Sequence, residues 1–82
     1  MKEYTITINR RNRTTEVTGT LEYLKSYFSY TLKVGKSYEN EKGCRKINVN
    51  PKGVKALVTN LNRAVDNASL NGYSDTYYEY AE

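Results

Sequence analysis

"NPKGVKALVTNLNRAVDNA", residues 50–68, carries the clearest helical pattern in the chain. Val54, Leu57, Val58, Leu61, Val65 and Ala68 recur at spacings that place them on one face of a helix. Lys52, Lys55, Asn62, Arg63 and Asp66 fall on the polar side. Asn50 is of the type that caps a helix and Pro51 suits its first turn, so the predicted start is Asn50. Asn71-Gly72 predicts the end.

Upstream the period changes. "YTITIN" (4–9) alternates, with Tyr4, Ile6 and Ile8 on one face, and "RTTEVT" (13–18) is a second β-rich run. The turn-like "NRRNR" between them predicts a β-hairpin. Arg10, Arg11 and Arg13 at its tip suit either phosphate contact or a solvated turn that blocks edge pairing. A first helix is predicted from Thr20, with Thr20 as cap and Glu22 in the first turn. Leu21, Leu24, Phe28 and Leu32 form one apolar stripe on it. Tyr23, Tyr27, Tyr30 and Val34 form another, centred roughly 135° away. Such a helix either lies between the sheet and the second helix, or exposes its tyrosine face as a homo-oligomer interface. "YSDTYYEY" (73–80) reads as a final strand. The order ββααβ predicts an α+β fold, a three-stranded antiparallel sheet packed on helices, in a single domain over residues 1–82. A domain this small buries about 60% of its unfolded-chain surface.

Composition narrows the function. The chain has no histidine, so it cannot assemble a Ser-His-Asp triad, a Cys-His pair or a histidine-based zinc site. Its five glycines form neither a P-loop nor a dinucleotide fingerprint. The nine carboxylates show no spacing that marks out an acid/base pair. A binder is expected rather than an enzyme, with no catalytic residue, metal or cofactor. The single cysteine, Cys44, excludes an internal disulfide and suits a reducing cytoplasm. No apolar run follows Met1-Lys2 and none is long enough to span a membrane, so neither a signal peptide nor a membrane segment is expected.

The net charge of +4 is unevenly spread. Residues 35–55 hold six Lys and Arg against two Glu, whereas residues 56–82 hold one Arg against four acids. A basic middle beside an acidic tail favours a local site for phosphates or for an acidic protein patch. The predicted second helix is charged against its dipole, with Lys52 and Lys55 at the positive end and Asp66 near the negative one. An anion bound at that N-terminus would account for the arrangement. The expected anion or nucleotide site comprises Lys36, Ser37, Tyr38, Arg45, Lys46, Asn48, Asn50, Lys52 and the backbone of Gly53. A solvated basic loop is the competing reading.

The stretches "GTLEYLKSYFSYTLKVGKSY" (19–38) and "KINVNPKGVKALVTNLNRAVD" (46–66) resemble two blocks of a family of small uncharacterised phage and prophage proteins. The strings "KIN-NPK" and "NLN" carry most of the resemblance, which covers roughly half the chain. It implies a phage setting, the host cytoplasm and a non-catalytic accessory role, with anti-defence activity foremost. Two kinds of partner then compete. One is a phosphate-bearing immune signalling nucleotide, held by lysines, stacked on tyrosines and captured as by a sponge. The other is a host effector protein, occupied directly as an anti-CRISPR does. Nucleic-acid binding is a third reading, supported by the arginine tip and a pI near 9.2.

Overall fold

A computed structural model describes residues 2–69 and 75–81. The fold is the expected α+β arrangement. Strands β1 (Glu3–Arg10) and β2 (Arg13–Thr20) form the hairpin, turning at residues 11–12. Helices α1 (Leu21–Tyr27), α2 (Ser29–Lys36) and α3 (Val54–Ser69) follow, and β3 (Tyr77–Ala81) completes an antiparallel sheet of order β2-β1-β3. Of the expected 73–80, residues 75–76 precede the strand, which runs one residue further to Ala81, and 73–74 lie outside the described residues. The predicted Asn71-Gly72 stop lies outside the described residues.

Alternation in β1 turns Ile6 and Ile8 inward, where both are buried, and Tyr78 of β3 lies opposite Ile8 on the same face. Thr20 caps α1 as predicted, its Oγ1 accepting from the Tyr23 N–H at 3.2 Å. The expected single first helix is broken at Phe28, whose φ of −96° and ψ of 7° leave the helical region. Ser29 Oγ donates back to the Ser26 carbonyl at 3.0 Å, a bond of the kind that bends helices. Hydrogen bonds from Phe28 N to Leu24 O and from Leu32 N to Phe28 O carry the chain through the bend. Leu24, Phe28 and Leu32 consequently stay buried in one line, and the Phe28 ring meets Tyr78 edge-on at 5.7 Å.

Helix α3 begins three residues beyond the expected Pro51. Asn50 caps no helix, since residues 51–53 intervene before Val54, and its N–H donates to Asn48 Oδ1 at 2.8 Å in a local turn. Pro51 is fully buried, a core plug at the end of an extended segment. Gly53 supplies the first helical acceptor, to Leu57 N at 2.8 Å. The buried face also differs from the predicted one. Val54, Leu57, Val58 and Leu61 are buried as expected, but Ala64, Asn60 and Asn67 join them, while Val65 and Ala68 are only half-buried. A second flank of α3 is covered, and two asparagines lie on it. Gly35 of α2 touches α3 so closely that a Cβ there would overlap Ala64.

Candidate functional site

Residues 45–48 run as an extended segment antiparallel to α3, and asparagines of α3 hold it. Asn60 Oδ1 accepts from the Asn48 N–H at 2.9 Å. Seven residues on, Asn67 Oδ1 accepts from the Arg45 N–H at 2.8 Å, and its Nδ2 donates to the carbonyls of Arg45 at 2.9 Å and Gly35 at 3.2 Å. The spacing fits the geometry of both partners: seven helical residues rise about 10.5 Å, and three extended residues span about 10 Å. Asn62 treats β3 in the same way, its amide bonding Tyr78 N at 2.7 Å and Tyr78 O at 3.0 Å. Sequence reasoning put Asn62 on the polar face and gave Asn60 and Asn67 no role. Their seven-residue spacing beside the apolar face was the available signal.

Five of the nine predicted anion-site residues lie away from the start of α3. Lys36 Nζ is paired with Glu39 Oε1 at 2.9 Å, and Glu39 Oε2 accepts from the Ile47 N–H at 3.2 Å. The hydrogen bond from Lys36, then that from Ile47, then the charges of Lys36 and Lys46 hold the Glu39 carboxyl below its ordinary pKa against the effect of burial. Lys36 and Lys46 thus flank a carboxylate of the chain itself. Ser37 and Tyr38 close the end of α2, with Ser37 Oγ on the Val34 carbonyl at 2.6 Å. Arg45 lies beside the far end of α3, 3.6 Å from Asp66, so the acid at that negative end has a cation next to it. The Lys46 carbonyl is level with Arg63, nine residues into α3 and about 13 Å from its start. The expected single pocket is therefore divided.

Comparison with protein-family models, with curated proteins and with solved structures gives no match.

Asn50, Lys52 and Gly53 do gather before α3, and Asn48, held alongside it by Asn60, reaches Asn50 through its Oδ1. Gly53 at the cap position offers no side-chain acceptor to the first N–H groups, and the first turn holds no acid. Lys52 and Lys55 are exposed on either side, and the space beside the Gly53 α-carbon is open. This end of α3 is thus a patch of positive potential, and among the described residues no acceptor takes its first N–H groups.

The tyrosine stripe is not enclosed between sheet and helix. Tyr23, Tyr27 and Tyr30 are 51%, 53% and 76% exposed. Tyr23 and Tyr27 rings stand 6.0 Å apart, and Val34 is half-buried. Beyond Tyr30 opens an apolar groove of about 140 Å³ between α2 and α3, lined by Thr31, Val34, Ala64, Val65 and Ala68. At the hairpin tip Arg11 and Arg13 are exposed, and Arg10 reaches Thr15 Oγ1 at 3.3 Å. Cys44 is a free, half-buried thiol, its pKa raised by burial and by Glu41. Burial likewise raises the Tyr78 phenol, with Arg10 and a hydrogen bond with Thr31 acting in opposition. Among the described residues no cluster of three potential ligands could hold a metal, and no helix is long and apolar enough to cross a membrane.

Proposed function

We propose that this chain is a small non-catalytic phage accessory protein with an anti-defence role, capturing a phosphate-bearing ligand such as an immune signalling nucleotide. The observation that supports this reading is the start of α3. It is the longest helix and opens on an uncapped glycine, with no acid in its first turn and with Lys52 and Lys55 exposed beside it. Free N–H groups and the helix dipole favour an anion there, and the two ammonium groups would neutralise it. The site is narrower than sequence reasoning drew it. Lys52, Lys55, Asn50 and the Gly53 backbone form it, and Lys36, Arg45 and Lys46 serve the loop instead. Exposed tyrosines supply stacking surfaces, and self-association through Tyr23, Tyr27 and Tyr30 would enclose a ligand between copies.

The test is thermal shift and calorimetry against inorganic phosphate and a panel of cyclic and ribose-linked nucleotides. A ligand at 100 times its dissociation constant stabilises the fold by about 2.7 kcal/mol. A hydrogen bond to a charged group contributes about 1.5–3 kcal/mol, so Lys52→Ala should weaken the ligand roughly ten- to a hundred-fold. The free protein should be unchanged or slightly more stable, since a charge opposed to the dipole is gone. Heat denaturation should release the ligand chemically intact. A Lys52→Ala/Lys55→Ala protein that binds as tightly as the wild type would eliminate the anion site.

A second reading rests on a different observation, the three exposed tyrosines and the apolar groove that continues them. Contiguous exposed apolar surface of this kind marks a protein contact. On this reading the chain occupies a host effector directly, and Tyr30→Glu abolishes inhibition while Lys52→Ala leaves it intact.

A further inference from the structure

The two outer edges of the sheet are finished differently. On β3 the outward N–H and C=O of Tyr78 are both taken by the Asn62 amide. That bond also fixes the direction of every other backbone group in the sheet. In an antiparallel sheet a residue's N–H and C=O point the same way, and the direction alternates along the strand. Tyr78 lies opposite Ile8 with its groups turned away, so those of Ile8 point toward β2. Thr15, opposite Ile8, then points back at β1. The backbone groups of Thr14, Glu16 and Thr18 therefore point out of the sheet, and no described residue pairs with them. The strand is eight residues long, paired to β1 without a bulge, and contains no proline or lysine. Arg13 and Glu16 are the only charges along it, and no proline, lysine or bulge blunts the edge.

We propose that the free edge of β2 pairs antiparallel with β2 of a second copy of this chain, giving a continuous six-stranded sheet with a twofold axis at Val17. This goes beyond the self-association reading above by placing the principal contact on the β2 edge rather than on the tyrosine face, and it is independent of the anion site. The register follows from three constraints and from overlap, which covers residues 14–20 here and only 13–17 when centred on Thr15. A slip of one residue would put helix-side residues on the outer face. Centring on Glu16 would set two carboxylates directly opposite, which is unfavourable. Centring on Thr18 would run the strand into α1 of the other copy. Centring on Val17 leaves Glu16 opposite Thr18 of the second copy, twice, and each pair exchanges two backbone hydrogen bonds.

Charge and shape agree with this register. Arg13 falls opposite Leu21 of the second copy, so this arginine comes near Glu22 in the first turn of that copy's α1. Each Arg13 thus meets the acidic first turn of the other copy's α1. Tyr23 lies against Gly19, where a Cβ would overlap its ring, and continues to Tyr27. Tyr23 thus stands at the Gly19 end of the edge strand, with the Tyr27 ring 6.0 Å from it on α1.

Light scattering and sedimentation at high micromolar concentration should show a dimer, and a monomeric wild type overturns the proposal. Thr18→Pro removes an outward N–H, which an edge strand tolerates, so it should give a folded monomer. A dimer dispersed by Tyr30→Glu but not by Thr18→Pro would move the interface to the tyrosine face, sinking edge pairing while self-association stands. If Thr18→Pro fails to fold, Val17→Cys in a Cys44→Ser background decides. Opposed residues in a non-hydrogen-bonded pair have α-carbons about 4.5 Å apart, within disulfide range. Mild oxidation should therefore link the chains, and a dimer that stays unlinked refutes the register. Arg13→Glu should weaken the dimer about tenfold and Glu22→Arg in the same chain should restore it; no rescue would refute the tip contact.

Discussion

Asn67 does more for this fold than any other polar side chain described. It is 1% exposed and makes three hydrogen bonds, to Arg45 N, Arg45 O and Gly35 O, tying α3 to both the extended segment and the end of α2. Asn67→Ala would leave three backbone groups without partners, at about 1–3 kcal/mol each when they stay buried. The expected loss is about 3 kcal/mol or more by chemical denaturation, against a total of about 5–15 kcal/mol for a typical domain. In a domain this small that corresponds to a Tm lower by at least roughly 12 °C. Glu39 gives a prediction in pH. Its folded pKa lies below the ordinary 4.5, so its stabilisation is complete above the unfolded value and is lost as pH falls through the folded one. Urea midpoints should therefore hold from neutrality down to about pH 5 and drop below it. Glu39→Gln should be less stable at neutral pH and show a shallower acid decline.

At the scale of elements, α3 organises its neighbours through polar side chains as much as through its apolar face. Val54, Leu57, Leu61 and Ala64 face the core, Asn60 and Asn67 hold the segment before it, and Asn62 holds the strand after it. An edge strand of five residues has little pairing of its own, and the Asn62 amide takes the place of a neighbouring strand for Tyr78. Asn62→Ala should accordingly loosen β3 selectively. Hydrogen exchange at the Tyr78 amide should accelerate well before that of Ile6 or Ile8, and equal acceleration throughout the sheet would show that the latch is not local. The bend at Phe28 belongs to this scale as well. It keeps Leu24, Phe28 and Leu32 on the core while Tyr23, Tyr27 and Tyr30 remain exposed.

At the scale of the whole molecule, positive charge collects in three places rather than in one pocket. The hairpin tip holds Arg10, Arg11 and Arg13; Lys36 and Lys46 attend Glu39; Lys52 and Lys55 stand at the start of α3. Only the last combines exposed cations with the start of an uncapped helix, so stabilisation by phosphate at constant ionic strength should vanish in Lys52→Ala/Lys55→Ala. The same stabilisation should persist in Lys46→Ala, whose charge is already set against Glu39. Midpoints measured with and without phosphate compare the two variants directly.

The sequence by itself determined the elements, because helical and strand periods are local. Alternation marked β1, threonine at position 20 fixed the start of α1, and the spacing of Leu57, Val58 and Leu61 identified α3. It also determined the tyrosine stripe, though not whether anything in the fold covered it. Tertiary structure decided where α3 begins, since Asn50 and Pro51 look like a helix start until Asn48 and the core claim them. It decided which lysines are available, because Glu39 meets Lys36 and Lys46 only when residues 45–48 lie along α3. It decided the role of the asparagines for the same reason. An amide reads as a surface residue in sequence, and becomes an internal brace only when another part of the chain brings unpaired backbone groups to it.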